Sequence, residues 1–478
     1  MRGNGNNTRT SNQEWKEMSE SAERLQTGTM LTDLYQLTMN AAYFSNNKDE
    51  VATFDLFIRR LPDDWGYFIA NGIEEAIDYA TSLAFSETDT GYLRGQNLFS
   101  DAFLDSLGNF SFKGDIYSVK EGTPVFANEP ILRVTARRSE AQFLETALLN
   151  KINFQTMVAT KANRVVNAAD GATVIDFGLR RAQGEDAAMK GARAAYIGGV
   201  VATSNVKAGM EFGIPLAGTH AHSFVMSFPT ELEAFRAYAR TFPKNAMLLI
   251  DTYDTIQGAK NAVIVARELE AEGNRLLAVR LDSGDLADLS VKVRQILDGA
   301  GMNRVRIIAS NDLNEYKIED LRRKGARIDG YGVGTELITA KPVAAIAGVY
   351  KLVEDSDGAK IKLSEDKQTL PGKKQVYRVN GQDGKYLHDI VTLDSEPVET
   401  GVPLLEQIVR GGLRVSERRT LAETREYALA CVSMLPDELK AVRAPKDGYR
   451  VKVSDGLQRL VLELKGRYAA KAVEVGGC

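Results

Sequence analysis

The sequence predicts an α/β protein built on an irregular, TIM-like parallel barrel, and three observations carry that prediction. Short apolar runs recur from residue 173 onward, amphipathic helical stretches separate several of them, and the runs end in small and polar residues. A chain of 478 residues has room for two or three domains of about 150 residues each. Hydrophobic residues make up 44% and charged residues 26%, the balance of a globular protein, and 41 Gly against 12 Pro favour tight turns over Pro-rich linkers.

Taken in order, residues 1–28 are rich in Asn, Thr, Ser and Glu, have no apolar period and read as a disordered tail. The stretch 29–150 reads as mixed α and β: a helix over 32–44, an alternating strand over 52–58, a helix over 72–83, and short strands within 112–135 with turns at Lys113-Gly114 and Glu121-Gly122. A long helix over 140–169, without internal Gly or Pro, leads into the barrel region, 151–355. Eight candidate strands follow, at 173–178, 198–204, 215–219, 246–251, 276–282, 305–311, 329–334 and 349–353. Ile256, Ala259, Val263 and Ala266 mark one amphipathic helix between them, and Leu286, Leu289, Val293 and Ile296 another. Near-continuous apolar strands expect burial on both faces, eight of them expect closure, and their uneven spacing makes the barrel irregular. Beyond 355, a Lys/Gly/Asp-rich stretch over 362–378 reads as hairpin-like and 422–434 as a helix.

Several classes of function are excluded at this level. A net charge of −4 gives no long-range attraction to nucleic acid or to an anionic membrane. No apolar run approaches the ~18 residues of a membrane span, and the first 28 residues hold no signal-peptide core. Cys431 and Cys478 provide neither a disulfide framework nor zinc spacing, so a reducing cytoplasm is expected. No Walker loop is present, and Gly330-x-Gly-x-Gly334 lacks the third glycine of a dinucleotide fingerprint.

Function in a parallel barrel concentrates at the carboxyl ends of its strands, where helix N-termini present free N–H groups. Those ends read Asp176-Phe-Gly-Leu-Arg-Arg181, Thr203-Ser-Asn205, Gly218-Thr-His-Ala-His-Ser223, Asp251-Thr-Tyr-Asp254, Arg280-Leu-Asp-Ser-Gly-Asp285, Ser310-Asn-Asp312 and Gly332-Val-Gly-Thr335. Gly, Ser, Thr and Asn donate to anionic oxygens, and Arg offers a planar fork to carboxylate or phosphate. Asp282 and Asp285 would accept from sugar hydroxyls or hold Mg²⁺ indirectly, although a strand ending in Asp-Ser-Gly is, taken singly, more often a plain turn with a helix cap than a site. The chain has three histidines. Of the pair His220 and His222, one is a candidate nucleophile or base, with a satisfied core imidazole as the alternative, and His388 reads as structural or surface. Phe177 is a core aromatic by default and a stacking platform if the ligand carries a flat ring.

Together with Leu31-Thr-Asp-Leu-Tyr-Gln-Leu-Thr-Met39, Phe57-x-Arg-Arg60 and Leu370-Pro-Gly-Lys-Lys374, these motifs resemble, in order, those of the nicotinate phosphoribosyltransferase family. The resemblance implies an irregular α/β barrel packed on a discontinuous α/β domain made from both chain ends, with 356–478 packing against the N-terminal segment, in a homodimer with shared sites. It implies that nicotinate and 5-phosphoribosyl 1-pyrophosphate become nicotinate mononucleotide and pyrophosphate, coupled to ATP hydrolysis with Mg²⁺, as the entry step of NAD salvage. Carried onto matching positions, His222 is the phosphohistidine, and Tyr35, from the partner subunit, sandwiches the pyridine ring with Phe177. Arg280 and Thr219 meet nicotinate, Asp282 the ribose hydroxyls, and Arg180, Gly334 and Thr335 the phosphates. Ser204, in Thr203-Ser-Asn205, together with Arg280 favours an acid over an amide; no metal ligand is assigned. A nicotinamide-using relative and a catalytically silent nucleotide sensor are the alternatives.

Overall fold

In the computed structural model, which describes residues 28–364, 368–445 and 448–475, the parallel strands form one six-stranded sheet. They are β1 (Thr173–Asp176), β2 (Ala202–Thr203), β3 (Met247–Leu249), β4 (Ala278–Leu281), β5 (Arg306–Ala309) and β6 (Gly330–Val333). Across the sheet the order is β2-β1-β6-β5-β4-β3, all neighbours parallel. The expected N-terminal tail lies outside the described residues apart from Gly28.

The sheet curls into a half-barrel. Beyond β2 it gains only a single bridge, Thr203 to Leu216, where a full strand over 215–219 was expected. Pro215 has no N–H to donate to a ladder. The flanking helices begin on the polar residues that end each strand: Asn205, Asp254, Asp285 and Asn314 each accept a backbone N–H of the helix that follows. The strand ends therefore serve first as helix caps, and what the caps do not consume remains for a ligand.

The eighth candidate strand is not in the barrel. Gly348–Asp355 runs antiparallel to Val51–Ile58, with Leu56 opposite Tyr350, and Tyr350 stacks on Phe54 at 5.0 Å. A short apolar run reads the same in either kind of sheet, and here cross-strand aromatic packing decides. The resulting seven-stranded sheet also takes Pro130–Arg137, Asp115–Ser118 and Glu406–Arg410, so it joins segments from both ends of the chain. Two further expectations shift. The long helix is two, Arg138–Phe143 and Glu145–Ala169, separated at Leu144, and the hairpin pairs Lys374–Asn380 with Tyr386–Leu393, later than 362–378.

Helix Glu145–Ala169 joins the two cores. Leu148, Ile152 and Met157 pack into the core beneath the antiparallel sheet, and Val158, Ala162 and Val165 into that of the half-barrel. Burial of each such large side chain contributes about 1.5–3 kcal/mol, so the half-barrel and the discontinuous domain share one rigid spine.

Candidate active site

A cavity of about 380 Å³ opens at the carboxyl ends of the parallel strands, and Phe177, Arg180, Ser204, Thr219, His222, Arg280 and Asp282 all line it. Residues separated by a hundred positions converge because Phe177, Ser204 and Asp282 each stand one place past the end of a parallel strand, Arg280 lies within β4, and Arg180, Thr219 and His222 come from the loops at the same end of the sheet. Gly334 and Thr335 follow β6 and lie beside this lining, a Cβ on Gly334 falling 3.1 Å from the Phe177 carbonyl oxygen. Tyr35 is elsewhere: it sits on helix Leu34–Ser45, is 45% exposed and does not line the cavity within its own chain. Asp285 is turned to other work, its Oδ1 capping the helix from Leu286 by accepting from the N–H groups of Ala287 and Asp288.

The floor of the cavity is an aromatic ring and a guanidinium. The Arg280 guanidinium lies 5.9 Å from the centre of the Phe177 ring, and its buried Nε has no partner among the described residues. Burial pulls this guanidinium below its ordinary pKa; Asp282 and Asp251 oppose that pull, and Arg180 adds to it. The ring rests on Gly332, where a Cβ would come 2.3 Å from it, so only glycine admits Phe177 in this position. Asp176, buried, holds the turn: Thr203 Oγ1 and the Gly178 N–H each donate to it at 2.7 Å.

On the opposite side, His222 Nε2 lies 3.7 Å from Asp282 Oδ2, and both side chains are partly open to solvent. Thr252 Oγ1 is 3.1 Å from His222 Nδ1. Asp251 Oδ2 accepts from the Asp282 N–H at 2.8 Å and the Ser283 hydroxyl at 2.7 Å, and Ser310 donates its hydroxyl to Asp282 Oδ1. Asp251, Thr252 and Ser310 were visible only as polar strand ends; their role as props for Asp282 and His222 had no signal of its own. His220, two residues before His222, turns inward among Phe224, Phe235 and Tyr238.

Among the described residues no group of three or more His, Cys, Asp or Glu side chains is arranged to hold a metal ion. Nor is any described helix long and apolar enough to cross a membrane.

The fold and site define a class: an α/β half-barrel protein with a strand-end cavity that pairs a flat-ring platform and a guanidinium without an ion pair among the described residues with a histidine and a carboxylate. Comparison with known proteins narrows it. The model of the nicotinate phosphoribosyltransferase (NAPRTase) family matches residues 172–354, and those of the NAPRTase N-terminal and C-terminal domains match 30–153 and 399–461. The nicotinate phosphoribosyltransferase pncB2 of Mycobacterium tuberculosis is 42% identical over 93% of this chain and 94% of its own. That of Bacillus subtilis is 42% identical over 89% of this chain and 92% of its own. The crystal structure of human nicotinic acid phosphoribosyltransferase superposes with a TM-score of 0.80 at 29% identity, covering 91% of this chain and all of that one (100%). The chain belongs to the nicotinate phosphoribosyltransferase family.

Proposed function

We propose that the protein transfers the 5-phosphoribosyl group of 5-phosphoribosyl 1-pyrophosphate to nicotinate, releasing nicotinate mononucleotide and pyrophosphate, the entry step of NAD salvage. The observation that carries this reading is the Arg280 guanidinium over the Phe177 ring, with Nε unpaired. A pyridine ring stacked on Phe177 would bring its carboxylate to that fork, the pairing that stabilises a partly desolvated guanidinium best. An amide in the same place would offer Arg280 only a neutral acceptor, which favours nicotinate over nicotinamide. Tyr35 of the partner subunit would cover the other face of the ring in a homodimer; its exposure on the outer helix, beside exposed Leu31 and Leu34, supports that placement.

The pyridine nitrogen is itself the nucleophile, so the site needs no strong base. It holds the ring in line with C1 of the ribose and steadies the charge that develops as the C1–O bond breaks. Asp282, held by Asp251 and Ser310, would accept from the ribose hydroxyls. Arg180 pairs with no acid among the described residues and, with the backbone at Gly334 and Thr335, would receive the phosphates; Mg²⁺ would arrive on the diphosphate. ATP would act through His222: Nδ1 is engaged by Thr252, leaving Nε2 to attack the γ-phosphorus, so that an N–P bond forms and ADP departs. Water later cleaves that bond to give phosphate. The added charge beside the cavity would favour a closed arrangement around pyrophosphate and its Mg²⁺. The two cysteines and the absence of a described membrane helix support a cytoplasmic setting.

Incubation with γ-labelled ATP is expected to leave acid-labile phosphate on the protein and to speed nicotinate turnover, and His222→Ala to abolish the label. Label retained in that variant would refute the choice of histidine. Turnover of nicotinamide in preference to nicotinate, or of neither, would refute the substrate.

A further inference from the structure

The half-barrel has two edges, and one short segment connects them. At one edge Leu216 bridges Thr203 beyond β2. At the other, β3 pairs on one side with β4, Leu249 opposite Arg280, and on its open side the Leu249 N–H donates to His220 Nε2 at 3.2 Å. The backbone between Leu216 and His220 therefore spans the opening between the two edge strands of the six-stranded sheet, and an imidazole takes the place of a ladder bond on β3.

The protonation state follows from the donor. A backbone N–H can only donate, so Nε2 presents a lone pair and the single ring proton sits on Nδ1, which faces the Ala221 carbonyl at 3.5 Å. The residue is 7% exposed, and its ring meets Tyr238 edge-on at 4.8 Å, with Phe224 at 5.4 Å. The ionisable groups that face it are Arg280 from β4, His222 from its own loop and Tyr238 from helix Glu231–Thr241. Burial pulls its pKa down to about 4, the Ala221 carbonyl opposing and the nearby Arg280 guanidinium adding to the pull.

We propose that His220 is a positioning residue for His222: as a neutral, Nδ1-protonated imidazole it fastens the loop carrying Thr219 and His222 to the free edge of β3, just ahead of Asp251 and Thr252. One bond then sets the spacing between the His222 ring and the Thr252 hydroxyl that orients it. The inference rests on the reading of His222 as the phosphorylated group, and it gives a role to the second histidine two residues away, whose Nε2 is taken by the Leu249 N–H.

With only three histidines in the chain, ¹⁵N-histidine labelling and long-range proton–nitrogen spectra resolve each ring. In the wild-type protein His220 is expected to show the Nδ1–H tautomer and no titration between pH 8 and about pH 5. His220→Phe keeps ring volume but removes the acceptor; it should lower kcat and the rate of His222 labelling about tenfold while nicotinate KM changes less than about twofold. His220→Gln, which returns an acceptor near the reach of Nε2, should recover kcat to within about threefold of wild type. An Nε2–H tautomer, a doubly protonated ring near neutral pH, or an unchanged kcat in His220→Phe would each overturn the proposal. The spectra need no substrate, so a protein that fails to turn over nicotinate sinks the functional reading without deciding this one.

Discussion

At the seam where the hairpin Lys374–Asn380/Tyr386–Leu393 meets the seven-stranded sheet, Lys374 Nζ lies 2.8 Å from Asp55 Oδ2, and within the hairpin Arg378 Nη2 lies 2.6 Å from Asp389 Oδ2, with every one of these side chains almost fully sealed. In the strand-end cavity, neither Arg280 nor Arg180 has an ion pair among the described residues. The seam uses its charges on one another and the cavity leaves them unspent. A charge whose partner is built in serves the fold, whereas a charge held in a cleft without one is stabilised only when a ligand of opposite sign arrives.

The contrast can be broken at three places. The largest effect is expected at the seam. Lys374→Met strands Asp55, whose carboxyl burial already pushes upward, and should cost about 3–5 kcal/mol in chemical denaturation. The stranded Asp55 would keep its proton in the folded state and lose it in the unfolded one, so the deficit should grow as pH rises from 5 to 8. Next comes Arg280→Ala, for which kcat/KM for nicotinate should fall about a hundredfold, in line with the loss of a buried charge-assisted contact. Its Tm should hold or rise, because no internal pair is broken; a large drop in Tm would erase the distinction between the two regions. The smallest is Gly332→Ala: the new Cβ would meet the Phe177 ring at 2.3 Å and push it aside, raising nicotinate KM about tenfold with little change in kcat.

His220 sharpens the comparison further, since it is a buried titratable group in the cavity wall that is satisfied while neutral. Its pKa of about 4 lies below the ordinary 6.5, so below pH 6.5 the unfolded chain binds a proton that the folded chain refuses. Stability should therefore decline as pH falls from about 6.5 toward 4, and His220→Gln should remove that part of the Tm profile.

Much of the site was legible in advance because each motif lies where an apolar run gives way to Gly, Ser, Asp or Arg, and parallel topology gathers such ends on one face. Phe177, Arg180, Ser204, Arg280 and Asp282 line one cavity for that reason, and Thr219 and His222 join them from a loop that makes only a single bridge to the sheet. Gly348–Asp355 was misread because its apolar run carries no mark of the neighbour it will choose, and stacking of Tyr350 on Phe54 makes that choice. At the Asp-Ser-Gly strand end a ligand group and a helix cap were both open from the sequence, and for Asp285 the structure shows the cap. Thr252 and Asp251 could not be recognised as props, since what they hold lies some thirty residues away (|i−j| of 30 and 31).

The order of residues alone determined the strand–helix rhythm, the chemistry available at each strand end and the family, because these depend on local periodicity and on residue type. Only the tertiary structure decided which of two neighbouring histidines faces inward, which arginines line the cavity and where the parallel sheet stops. Each of those outcomes depends on a partner distant in the chain, and burial changes a side chain's role through the groups that surround it and not through those beside it in sequence.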